Sequence, residues 1–122
     1  MKTLLNSFAF AFKGIYYTFR SQRNFRIHAI ALCLTVALGL YLGLSALEWC
    51  AVVFAIGFVL SAELFNTAIE KLGDKVAGGK QDRLVGTVKD ISAGAVLIAA
   101  FTALTVGIIV LFIPLVKKLA GL

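Results

Sequence analysis

Glu63, Asn66 and Glu70 interrupt or directly follow an apolar run, WCAVVFAIGFVLSAELFNTAI over residues 49–69, that is otherwise long enough to cross a bilayer. A carboxylate at membrane depth costs roughly 2.5–3.5 kcal/mol on insertion scales, so such groups are rare and usually functional. At ~100° per residue, positions 63, 66, 70 and 74 fall within about 80° of one helix face. Glu63, Asn66, Glu70 and Asp74 therefore share one polar stripe. With Trp49 at the outer boundary, Glu63 lies about 21 Å in and Glu70 about 10 Å further, near the opposite boundary. Asp74 follows one turn later, in water. Lys89 and Asp90 stand at that same boundary, where the next apolar run begins.

A stripe graded in depth suits chemistry at an interface. Glu63 is placed to take the proton of a hydroxyl held at headgroup depth. Glu70 is placed to hold a hard cation through oxygen, as Mg²⁺ is held at phosphate sites. Lys89 and the basic segment around it can pair with phosphates. The layout fits phosphoryl transfer from a soluble nucleotide to a membrane-bound alcohol, a reaction in which positioning and electrostatics dominate. Taken singly, Glu70, Asp74, Lys89 and Asp90 also read as solvated helix ends, but Glu63 and Asn66 are too deep for that. No standard nucleotide motif is present: Gly79-Lys80 is followed by Gln81, Gly73 is one residue out of step for a Walker A loop, and no protein-kinase signature occurs. Gly78-Gly79-Lys80 reads first as a flexible turn, and His28 as an interfacial filler.

The elements that must carry this stripe are helices in a membrane. The 122 residues are 61% hydrophobic with mean hydropathy +0.97, well above a soluble domain of this size. One domain is expected, all-α, with transmembrane helices over 27–47, 49–69 and 91–116, a cytoplasmic segment over 70–90, and a surface helix over 1–26. In that surface helix Leu4, Phe8, Phe12, Ile15 and Phe19 oppose Lys2, Asn6, Lys13, Tyr17 and Arg20. Glu48 and Trp49 are expected to form the tight turn between the first two spans. Gly39 and Gly43, and the strip Ala95, Ala99, Ala103 and Gly107, allow close helix approach. A homo-oligomer would help to bury the stripe.

The net charge of +6 is read as topology and contact with anionic lipid rather than nucleic acid. Basic residues before the first span, with no acidic ones, place the N-terminus in the cytoplasm; Lys117 and Lys118 on the outer side run mildly against that rule. Cys33 and Cys50 read as small apolar residues, not a disulfide. The N-terminus does not read as a cleaved signal.

The run Glu63-Leu-Phe-Asn66-Thr-Ala-Ile-Glu70, with Asp74 downstream and Lys89-Asp90-Ile-Ser-Ala-Gly-Ala-Val96 beyond, closely resembles the small integral-membrane lipid kinases of bacteria, the prokaryotic diacylglycerol kinases and undecaprenol kinases. The resemblance covers nearly the whole chain. It implies a homotrimer in the bacterial inner membrane that uses ATP and Mg²⁺ to phosphorylate a lipid alcohol at the cytoplasmic face. It implies that Glu63 is the catalytic base with Asn66 beside it, and that Glu70 binds the metal. It assigns nucleotide contacts to Phe10, Gln22, Glu70, Lys89 and Asp90, and less securely to Lys80, Gln81 and Asp82. Asn24, Phe25, Arg26 and His28 match the region that receives the lipid. Where the family often has a second metal-binding glutamate, this chain has Gln22: either its amide is a weaker ligand, or another group or water completes the shell. Arg23-Asn24-Phe25-x-x-His28 and Ala93-Gly94-Ala95-Val96 look more like the undecaprenol branch, since an acidic residue more often replaces His28 in the diacylglycerol branch.

Three rivals remain open on sequence grounds. One is the diacylglycerol acceptor. Another is a proton-coupled transporter or ring subunit, which would use Glu63 but has no need of Asn66, Glu70 and Lys89-Asp90 at one boundary. The last is a plain membrane anchor, for which a buried Glu63 has no use.

Overall fold

The computed structural model describes residues 3–122, and every regular element among them is helical. In chain order these are α1 (Leu4–Ser21), α2 (Arg23–Leu42), α3 (Ala46–Ala77), α4 (Arg83–Gly107), a π-helical turn (Ile108–Phe112) and α5 (Ile113–Leu119). The last three run on as one rod of 37 residues. α2, α3 and this rod are long and apolar enough to cross a membrane, so the expected all-α fold with an N-terminal helix and three spans is present. Lys2, expected on the polar face of the first helix, lies outside the described residues. The buried core is narrow, built from Phe25, Val52, Ala55, Val59, Ala99 and Leu111. Phe54, Phe101 and Leu104 point outward, as lipid permits and water would not.

The boundary between α1 and α2 differs from the expected surface segment over 1–26. α1 ends at Ser21, and only Gln22, in extended conformation, separates it from α2. The elbow needs neither Pro nor Gly, because Arg26 reaches back and donates from Nη1 to the carbonyls of Phe19 (3.0 Å) and Arg20 (2.9 Å). Those are terminal carbonyls of α1 with no partner in their own helix. Arg23 to Arg26 thus form the first turn of the first span instead of an approach to it. α1 also rests on α3, burying Thr18, whose hydroxyl donates to the Gly14 carbonyl at 3.0 Å.

The turn between the first two spans is likewise not at Glu48–Trp49. It lies at 43–45, where Gly43 takes a left-handed φ of 69° and Ser45 caps α3. The Ser45 hydroxyl accepts from the Glu48 N–H (3.3 Å), and the Glu48 carboxylate accepts from the Ser45 N–H (2.7 Å). This reciprocal capping box pulls Glu48 into the first turn of α3. Gly43 is therefore a helix cap, not half of a packing motif. Gly39 does pack, but inside the hairpin: a Cβ there would lie 2.8 Å from Trp49 Cη2 and 3.0 Å from Leu44 Cδ1. Gly39→Ala is expected to lower the melting temperature in detergent, because overpacking costs about 1–3 kcal/mol against the ~0.5–1 kcal/mol that Ala returns to a helix. An unchanged or raised melting temperature would remove the Trp49 contact as a constraint.

α3 has 32 residues and so runs ~48 Å, about 18 Å more than the hydrocarbon layer. Its last turns, and the first turns of α4, project beyond the membrane as a helical pair. The expected cytoplasmic segment over 70–90 is therefore mostly helix, and the loop shrinks to 78–82. Near the other end, Pro114 lacks the N–H that an α-ladder requires. The register widens just before it, with the Ile113 N–H bonding to the Ile108 carbonyl five residues back. Lys118, which ran against the charge rule, donates to the carbonyl of Tyr41 at 3.1 Å and sits 4.1 Å from its ring centroid. It thus completes the carbonyl end of α2.

Candidate functional site

α3 carries Glu63, Asn66, Glu70 and Asp74 in succession along its length. Glu63 is buried, with 3% of its surface exposed, on the face turned to α2. There it meets His28, whose Nε2 lies 3.2 Å from Glu63 Oε1. The imidazole is near enough to pair but stands off the line of a hydrogen bond, and Oε1 has no hydrogen-bond partner. His28, read from the sequence as an interfacial filler, lies beside the Glu63 carboxylate across the α2–α3 contact. The signal available in the sequence was that a deep ionisable group must face another polar one, and His28 is the polar residue that α2 offers at that level.

One turn on, Asn66 directs its amide nitrogen toward Glu70 Oε1 at 3.5 Å, and its own Oδ1 is buried without a partner. An amide and a carboxylate thus stand together one helical turn apart, the amide nitrogen facing the carboxylate. Among the described residues no group of three or more His, Cys, Asp and Glu side chains could enclose a metal. The donor set fits a hard cation held by few protein oxygens and completed by phosphate and water, the usual habit of Mg²⁺. Gln22 sits in the elbow, and among the described residues no hydrogen bond or ion pair joins it to Glu70.

Beyond the membrane layer Lys89 of α4 pairs with Asp74 of α3. The lysine crosses α3 directly over Gly73, where a Cβ would stand 3.2 Å from Lys89 Cε and 3.1 Å from Val85 Cγ1. Hydrogen bonding to Lys89 and its charge hold the Asp74 carboxyl below its ordinary pKa. The pair therefore contributes above the unfolded pKa of Asp74 and fades as pH falls through the lowered value, though its exposure keeps that contribution small. Asp74, Lys80, Asp82 and Lys89 line an open polar cavity of about 320 Å³ at the α3–α4 loop. Gly78 and Gly79, with φ of 58° and 81°, turn the chain there. Asp82 has a structural task as well: its Oδ1 caps α4 by accepting from the Val85 N–H at 3.0 Å. Gln81 and Asp90 are exposed nearby, outside the lining of that cavity.

The remaining predicted residues lie at the elbow and on α1. Phe25 is buried in the core, Arg26 is engaged with α1, and Asn24 is exposed. Phe10 lines an apolar groove of about 510 Å³ between α1 and α3, together with Leu64, Phe65 and Lys71. At its polar end the Lys71 ammonium lies 5.6 Å from the Tyr17 ring centroid. The structure thus brings His28, Glu63, Asn66 and Glu70 into one line that points to the cavity of Lys80, Asp82 and Lys89, and leaves Phe10 in the groove.

Helical spans, a buried carboxylate and an open polar cavity at one end define a small polytopic membrane protein with a site graded from lipid to water. The chain belongs to the prokaryotic diacylglycerol kinase family, whose profile matches residues 9–111. It is 37% identical over 114 residues to the undecaprenol kinase of Bacillus subtilis, covering 93% of this chain and 91% of that one. It is 38% identical to a diacylglycerol kinase of Synechocystis, covering 93% of this chain and 65% of that longer protein. Identity to the diacylglycerol kinase of Escherichia coli is 27%, over 89% of this chain and 88% of the other.

Proposed function

We propose that this protein transfers the γ-phosphate of ATP to undecaprenol, producing undecaprenyl phosphate at the cytoplasmic face of the bacterial inner membrane. The observation that carries the reading is the line of groups on α3, a buried Glu63 carboxylate at lipid depth and then Asn66 and Glu70, which leads to an open polar cavity holding Lys80 and Lys89. The acceptor hydroxyl comes to Glu63 from the membrane side. Its oxygen bonds to the γ-phosphorus as Glu63 takes the hydroxyl proton. The bond from that phosphorus to the bridging oxygen breaks, ADP leaves with the electron pair, and Glu63 later releases its proton to water. Glu70, with Asn66 beside it, would hold Mg²⁺, which would supply positive charge to neutralise phosphate oxygens of the nucleotide. Lys89 and Lys80 supply positive charge for the phosphates, and Lys89 exchanges Asp74 for them when the nucleotide arrives.

The N-terminus lies in the cytoplasm, on the side of the 78–82 loop, and the working unit is a homotrimer in which copies cover one another's exposed helix faces. Undecaprenol is favoured over diacylglycerol by the match with the Bacillus subtilis undecaprenol kinase, which spans nearly all of both chains. Diacylglycerol is the second reading, supported by the 38% identity to the Synechocystis protein. Purified protein in mixed micelles, given radiolabelled ATP and equal amounts of the two lipids, is expected to label undecaprenol at least about tenfold faster, a preference worth roughly 1.4 kcal/mol. Faster labelling of diacylglycerol would reverse the acceptor assignment, and labelling of neither would end the kinase reading.

A further inference from the structure

Glu63 cannot do its work unless something holds its carboxylate at the right angle, and the neighbours on its own helix do not. Thr67 spends its hydroxyl on the Glu63 backbone carbonyl at 2.8 Å. Asn66 turns its amide nitrogen to Glu70. The contact that remains to the carboxylate comes from another helix: His28 Nε2, 3.2 Å from Oε1. A buried oxygen without a donor is destabilising, so the imidazole gains by turning into line. A void of about 90 Å³ adjoins the imidazole, lined also by Thr35, Leu60 and Ala103, and leaves room for that turn.

We infer that His28 is a positioning residue for Glu63, fixing one carboxylate oxygen through Nε2 so that the other faces the reacting hydroxyl. The inference rests on the lipid-kinase reading and changes the part His28 plays in it. The residue acts across the α2–α3 contact on the base, not on the lipid headgroup. The arrangement resembles the orienting partner of a catalytic imidazole with the roles exchanged: here the carboxylate reacts and the imidazole aims it. A group misplaced by about 1 Å loses on the order of 10² in rate, which sets the size of effect to seek.

The test uses the full chain in lipid with undecaprenol and MgATP, as wild type, His28→Ala and His28→Gln. His28→Ala is expected to lower kcat by about 10²-fold while KM for both substrates stays within about twofold. Gln presents an amide N–H at a similar reach and is expected to recover kcat to within about tenfold of wild type. A cycle with Glu63→Asp is expected to be non-additive, since both changes disturb the same carboxylate. A raised KM for undecaprenol with kcat preserved would make His28 a headgroup contact and overturn the inference. Unchanged kinetics, additive losses, or a lowered melting temperature with no recovery by Gln would overturn it too. Wild-type protein that labels no lipid alcohol would remove the kinase reading itself, and this inference with it.

Discussion

Glu63→Gln is expected to bind ATP as the wild type does and to lose lipid phosphorylation by about a thousandfold, within the 10²–10⁴ that a positioned general base supplies. The amide keeps the size and shape of the side chain and its oxygen can keep the place beside His28, so the fold has no reason to respond. It has a reason to gain: Glu63 is a buried carboxylate whose Oε1 lacks a hydrogen bond, and a neutral amide is less costly to bury than an unsatisfied charge. Single-turnover transfer of labelled phosphate measures the first effect, nucleotide titration the second, and thermal unfolding in detergent the third. An active Glu63→Gln protein would remove Glu63 as the base. An inactive one with a collapsed melting temperature would make Glu63 a structural residue. The plain-anchor reading predicts neither pattern, because it gives the carboxylate nothing to do.

Glu70→Ala is expected to raise the Mg²⁺ concentration for half-maximal rate by at least about tenfold, with a lower kcat at saturating metal. Partners of metal ligands alone shift affinity by about 10–100-fold, and a ligand should do no less. The prediction follows from how little else the protein offers: Asn66, whose amide nitrogen faces Glu70 and whose Oδ1 has no partner, and among the described residues no larger acidic or imidazole cluster. Asn66 also loses the partner of its amide nitrogen in this variant, so part of the fall in kcat belongs to its displacement. A metal titration at fixed, saturating ATP reads the shift directly. An unchanged Mg²⁺ requirement would move the metal away from Glu70 and return Gln22 to consideration.

The two variants separate the site along its depth. Glu63 is the lipid half, and its loss should not alter the metal requirement. Glu70 is the water half, and its loss should alter that requirement first. A proton-coupled transporter would join the two in one pathway and would take up protons without ATP.

Much of this candidate site is legible in the sequence. Glu63, Asn66, Glu70 and Asp74 fall on one face because a helix repeats every 3.6 residues, and their depths follow from a rise of about 1.5 Å per residue. Both quantities are local, so the chain alone carries them. Hydropathy likewise marked the helices that span. It marked their ends poorly, because apolar content does not register a cap. Ser45 and Glu48 spell a capping box, and Gly43 a left-handed stop, yet the apolar residues around them hide the turn they make. The same holds for Arg26, whose charge reads as a headgroup contact and whose task is to close the carbonyl end of α1.

Contacts between helices were at most hinted at in the sequence, by the need of a deep ionisable group for a polar neighbour. His28 and Glu63 lie 35 positions apart, and no periodicity relates the rotation of α2 to that of α3. Lys89 reaches Asp74 because Gly73 leaves the surface of α3 bare at the crossing, a matter of shape between two helices. The chain's own order settles which groups share a face and how deep each one lies, since both depend on a single helix. Which group meets which across the bundle depends on the crossing angles and rotations of several helices packed together, and those arise from the side chains of all of them at once.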